Sequence, residues 1–217
     1  MKNQTHFPVK KLVLLAMLTA VSYLIVSLVR IPVVLFLSYE PKDVIITVGG
    51  FLMGPMASFV ISLVVSLLEM VTFSQTGPVG ALMNLLSTCS FACTAALLYK
   101  RRHTLKGAIF GLLAGSVFMV GVMILWNWLL TPLYMGYPRE AVEALLLPAF
   151  LPFNLLKAGL NSALVLFLYK PLVTALRKTG LVESHGSGGR SKAGVYLLAG
   201  ALLITCILLL LVLRGIL

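Results

Sequence analysis

The chain alternates long apolar runs with short polar breaks, and the breaks mark out membrane-spanning segments. Residues 12–29 form the first run, about 18 residues after Lys10-Lys11. It is long enough to span and lacks a clear small-residue cleavage site, so it is expected to be retained. Ala16 and Ala20 lie one turn apart on a face that Tyr23 and Ser27 continue, and small residues at that spacing let helices approach closely. That face is a docking surface, either for another helix of the same chain or for a partner. Arg30-Ile31-Pro32 ends the run, and residues 36–43 read as an aromatic-bearing loop in which Pro41 sets a turn and Asp43 caps the next helix.

Residues 44–73 are apolar for too long to be one ordinary span, and Gly49-Gly50 and Gly54-Pro55 interrupt them. The spacing predicts a short helix, a tight turn at Gly54-Pro55 and a second helix; one long kinked helix is the alternative. Further spans follow at 80–99, at 107–130 with Gly107, Gly111 and Gly115 on one face, and at 149–169 after a short amphipathic piece at 139–147. Residues 131–138 read as a turn-rich loop. Residues 179–194 are a Gly/Ser-rich basic linker, and 195–217 carry a last, featureless apolar span. The expected fold is an all-α integral membrane protein, with a six-helix domain over residues 1–178, a flexible linker and a seventh C-terminal transmembrane helix.

Composition agrees: 60% of the 217 residues are hydrophobic and 11% charged, against about 25% charged in soluble domains. The formal net charge of +11 could suggest nucleic acid, but the basic residues sit in short clusters between spans, where they act as orientation signals. Nucleic acid is therefore not an expected partner. Splitting residues 44–73 puts twelve basic residues inside, including Lys10-Lys11 and Lys100-Arg101-Arg102, against Arg30, Lys42, Arg139 and Arg214 outside. That orientation places the N-terminus in the cytoplasm of a multi-pass plasma-membrane protein. The basic turn around Arg102 suits anionic lipid headgroups. Cys89, Cys93 and Cys206 lie in apolar spans and read as small buried hydrophobes rather than metal ligands.

Within the spans, a few polar positions stand out. At 100° per residue, Asn154, Lys157 and Asn161 fall within an arc of about 60°, whereas Leu155, Leu156 and Leu160 point elsewhere. A lysine inside a span costs about 2.5 to 3.5 kcal/mol on insertion scales, so Lys157 should have a partner. Ligand, water or Glu69 could serve. Asn84 and Asn127 join Asn154 and Lys157 in the outer half, and Asn161 lies near the middle. Amides used only as helix glue should scatter through the depth. This crowding beside loops that contain Tyr39 and Tyr134 favours an externally open pocket. An Asn amide sets a donor beside an acceptor, which matches the edge of an imide or lactam ring, and a lysine adds a strong donor. The implied ligand is flat, polar-edged and partly apolar.

No phosphate-binding loop, H-E-x-x-H or Ser/His/Asp set is present, and His6, His103 and His185 fall in terminal or cytoplasmic segments. An enzyme is not expected, nor a bound metal or cofactor. Two transport readings stay open: an ion-coupled carrier using Glu69, or a binding subunit driven by a partner. A purely structural membrane protein is a third reading.

At this point the residues resemble a family, the substrate-binding S components of energy-coupling factor (ECF) vitamin transporters, and within it the riboflavin-binding members. The resemblance covers about residues 10–178. It rests on Ala16 and Ala20, Leu37-x-Tyr39-x-Pro41-x-Asp43, Phe51-x-x-Gly54-Pro55, Asn127-x-x-x-x-Pro132-Leu133-Tyr134 and Pro152-Phe153-Asn154-x-x-Lys157-x-x-x-Asn161. It implies a six-helix S-component bundle whose pocket is formed by the first outer loop and the last three of those helices. Asn127, Asn154 and Lys157 would then bind the pyrimidine-like edge of a flavin, with Leu37, Tyr39, Asn84, Tyr134 and Asn161 as further pocket residues. Ala16 and Ala20 would dock on a transmembrane coupling T subunit driven by two ATP-binding cassette ATPases. Thiamine, folate or biotin is the alternative ligand within the family. The linker and seventh span fall outside the family pattern.

Overall fold

Each apolar run folds as helix because a lipid interior offers no partner for backbone N–H and C=O groups, which must bond within the segment. A computed structural model of the protein describes residues 9–35, 37–72, 77–136, 138–178 and 192–215. Helix α1 spans Val9–Leu28, and two short strands follow, β1 over Ile31–Val34 and β2 over Leu37–Tyr39. They pair antiparallel, with Ile31 opposite Tyr39 and Val34 opposite Leu37. Leu35 turns the chain at φ 52°. The sequence predicted only a loop here, so the hairpin is a correction.

The break at Gly54 is borne out. Helix α2, Lys42–Met53, ends on Gly54 at φ 99° and ψ 169°, a region open essentially only to glycine, and α3 runs Pro55–Thr72. At 12 residues α2 is about 18 Å long, shorter than a hydrocarbon core of about 30 Å, yet it carries the chain from the polar end, where Lys42 meets Glu69, to Phe51 against Tyr99 and Tyr169 at the opposite end. It needs no lipid-facing surface, because every residue from Lys42 to Phe51 is buried in protein.

Helix α4, Gly77–Thr88, continues through a π-helical turn, Cys89–Cys93, into α5, Thr94–Arg101. Helix α6, Leu105–Met135, starts where Gly107 N–H donates to the Thr104 hydroxyl at 3.1 Å. It runs past Asn127 through Thr131 and Pro132 to Gly136, so residues 131–135, expected as loop, are helical. The glycine face of α6 lets backbones touch: a Cβ at Gly111 would lie 2.7 Å from the Ala95 carbonyl, and one at Gly115 2.6 Å from that of Phe91. Helix α7, Arg139–Leu145, passes through a second π-helical turn, Leu146–Phe150, into α8, Leu151–Lys178, and α9 spans Lys192–Leu213.

Among the described residues, six helical stretches are long and apolar enough to cross a membrane, and α2 is the seventh, short element. The linker expected at 179–194 lies mostly outside the described residues. The two ends of the bundle differ. At the end away from the hairpin, Phe51, Tyr99 and Tyr169 pack ring to ring at 4.5 to 5.8 Å, and the two tyrosine hydroxyls bond to each other. The hairpin end is polar inside.

Candidate functional site

The polar end is organised by three carboxylates, which are half of the chain's six acidic residues. Asp43 sits in the first turn of α2 and is completely buried. Its Oδ1 accepts from the Thr88 hydroxyl at 2.7 Å, and its Oδ2 accepts from Asn161 Nδ2 at 3.3 Å and pairs with Lys157 Nζ at 3.2 Å. Asp43 is thus not the helix cap expected from its position: the N-cap is Pro41, with no side-chain cap bond. Its carboxylate belongs to the interior because a buried lysine requires a compensating charge.

Lys157 also donates to the Ser87 hydroxyl at 3.2 Å. Glu69 was a candidate partner for Lys157, but it pairs instead with Lys42 and accepts from Asn84 Nδ2 at 3.0 Å. Lys42 lies 2.7 Å from Glu40, whose other oxygen meets Arg30 at 2.7 Å. Burial pushes the Glu40 carboxyl up, but Lys42, Lys157 and Arg30 outweigh it and hold it below its ordinary range. Three acids therefore face three bases across α2, α3, α8 and the end of the hairpin. Such pairs are expensive to desolvate; bonds from Thr88 and Asn161 and to Ser87 complete the Asp43–Lys157 pair and one from Asn84 supports Glu69, whereas Glu40 Oε2 is buried with its ion pair to Lys42 and no further hydrogen bond among the described residues.

Of the residues singled out from sequence, the structure joins Tyr39 to Asn161 directly, and Asn161 to Lys157 through Asp43. Tyr39, buried at the end of β2, donates from its hydroxyl to Asn161 Oδ1 at 3.0 Å. Burial, with Asp43 nearby, keeps that phenol protonated well above its usual range. Asn84 is joined to the network through Glu69. Asn127 and Asn154 are buried but bond within their own helices, Asn127 Nδ2 to the Met123 carbonyl at 2.7 Å and Asn154 Nδ2 to that of Phe150 at 2.8 Å. Leu37 packs, half-buried, with the hairpin cluster beside Tyr39. Tyr134 is on the last turn of α6, and its side chain is outside the described residues.

Sequence reasoning missed Glu40, Lys42 and Asp43 as members of the site. A signal was present: three charged residues within four positions, directly ahead of an apolar run, are hard to place unless they pair inside. Ala16 and Ala20, whose face had two readings, are exposed, while Tyr23 on the same face is partly buried against the core; Leu14, Leu18, Ser22 and Val26 are the inward positions of α1.

Residues 10–169 match the family described as the ECF transporter, substrate-specific component. The riboflavin transporter RibU of Staphylococcus aureus (strain TCH60) is 28% identical over 178 residues, covering 78% of this chain and 93% of that protein. The riboflavin transporter FmnP of Bacillus subtilis (strain 168) is 27% identical over 161 residues, covering 69% and 84%. Among solved structures, one described as the S component of a bacterial ECF transporter superposes with a TM-score of 0.66 at 29% identity, covering 77% of this chain and 98% of that one. With most of its length matched, and with the bundle and motifs in place, this chain belongs to the ECF transporter substrate-specific components.

Proposed function

We propose that this chain captures riboflavin from outside the cell and delivers it to the cytoplasm when docked on an ATP-driven coupling module. Family membership makes it a multi-pass membrane transport subunit and not an enzyme. The observation that carries the ligand assignment is the buried polar end beneath the hairpin. It holds Asn161, Lys157 and Tyr39 in one network, one turn of α8 from Asn154, in a chain whose relatives are named riboflavin transporters. The charges there offset one another, three acids against three bases, which suits a neutral ligand with a hydrogen-bonding edge. Lys157 donates to a flavin carbonyl, and the Asn127 and Asn154 amides read the adjacent donor and acceptor positions.

The orientation follows from the charge count: the N-terminus is cytoplasmic, and the hairpin end faces out. The exposed Ala16 and Ala20 form the surface for the T subunit, and the two ATPases act through that subunit. Glu69, already held by Lys42 and Asn84, is a structural acid in this reading rather than an ion-coupling site. Purified protein should quench riboflavin fluorescence at submicromolar concentration and carry flavin absorbance. A colourless preparation that leaves the fluorescence unchanged overturns the assignment.

A further inference from the structure

A second hydrophobic cluster, separate from the main core, is built from three pieces: the hairpin, α8 and α9. Val33 and Tyr39 of the hairpin meet Leu156 and Leu160 of α8, and Cys206 of α9 is buried among them, with Leu209 alongside. Two further contacts fix α9 there. On α8, a Cβ at Gly159 would lie 2.5 Å from Cys206 Sγ, so glycine at that position is what lets α9 seat. At the hairpin end, Arg214 turns back across the chain, and its Nε and Nη2 donate to the Pro32 carbonyl of β1 at 3.0 and 2.6 Å. Helix α9 lies outside residues 10–169, the part matched by the family.

The same hairpin carries Tyr39, which bonds Asn161, and leads into Glu40, Lys42 and Asp43. A two-stranded hairpin is marginally stable alone and takes its position from what packs on it. We propose that α9 is a clamp that holds the hairpin over the polar site, with Arg214 as its positioning residue, and that it thereby sets how long a ligand stays bound. The residence-time part rests on the riboflavin reading; the clamp itself does not.

The test uses the full-length protein in lipid nanodiscs. In ligand-free protein, Arg214→Ala should speed amide hydrogen exchange across the hairpin about tenfold, as loss of a charged hydrogen bond implies, with α3 and α6 unchanged. Riboflavin should then dissociate about tenfold faster, with association within about twofold of the parent, and Arg214→Lys should fall between. Gly159→Leu fills the space that Cys206 Sγ occupies, so it should unseat α9 and speed hairpin exchange and riboflavin dissociation at least as much as Arg214→Ala does. Unchanged hairpin exchange in Arg214→Ala or in Gly159→Leu overturns the clamp. Faster hairpin exchange in a protein that binds no riboflavin upholds the clamp and refutes the ligand assignment instead.

Discussion

Removing one charge from the Asp43–Lys157 pair gives a sharp test of the site. Asp43 is wholly buried and Lys157 is 6% exposed, so neither can turn to solvent when its partner is lost. In Asp43→Asn the ammonium keeps only Ser87 among its present partners. Breaking a buried pair in this way costs about 3 to 5 kcal/mol. At about 2 to 4 °C per kcal/mol for a chain of this size, unfolding in detergent should shift down by about 6 to 20 °C. Lys157→Met should shift it comparably, because the Asp43 carboxylate is then left to Thr88 and Asn161. The double variant removes both charges, and its loss should be smaller than the sum of the two by at least about 2 kcal/mol. Additivity within about 0.5 kcal/mol would refute the pairing. Fluorescence titration separates stability from recognition. Lys157→Met should weaken riboflavin about 10- to 100-fold, the worth of a charged hydrogen bond, and the double variant should not restore it.

Other predictions follow from the same geometry. Tyr39→Phe removes the bond to Asn161 and should weaken riboflavin about fivefold in the same titration, the worth of about 1 kcal/mol; an unchanged affinity would dissociate the hairpin from the site. Ala16→Leu with Ala20→Leu should stop uptake into cells that supply the coupling module while leaving binding intact, and undiminished uptake would remove that face from docking. Glu69→Gln should lower the unfolding temperature yet leave ATP-dependent transport running, whereas abolished transport in a folded variant would return the acid to a coupling role. Glu40, with its carboxyl held below the ordinary range, contributes stability in full above its unfolded pKa of about 4.3. That contribution is lost as pH falls through the lower folded value, so Glu40→Gln should flatten the acid limb of the unfolding profile.

Much of this architecture was legible because lipid imposes long apolar runs and glycine marks where the backbone must do something unusual. Gly54-Pro55 was readable as a break for that reason, and the Asn154-Lys157-Asn161 stripe was readable because polar residues in a span need an explanation. The partners were not legible. Lys157 needed an anion, and sequence offered Glu69 as the acid inside an apolar run, but the true partner, Asp43, stands beside a loop and looks like a helix cap. The hairpin was hidden because its strands are three and four residues long, contain Pro32 and turn at Leu35, without the usual glycine or asparagine. The seat of α9 depends on Gly159 meeting Cys206, a fit between residues 47 positions apart that no local pattern encodes.

The π-helical turn at Cys89–Cys93 divides one membrane crossing into two independently phased parts. Before it, Asn84, Ser87 and Thr88 supply the acid–base cluster; after it, Ala95 and Ala96 enter the core and Tyr99 closes the opposite end. An α-helix advances 100° per residue, so deleting a residue from either flank would swing one set away by about that angle, whereas deleting one from the π-helical turn should convert it to an α-turn and leave both sets seated. The turn is therefore the slack in this crossing, the place where its length can change without dragging the recognition face and the structural face out of register.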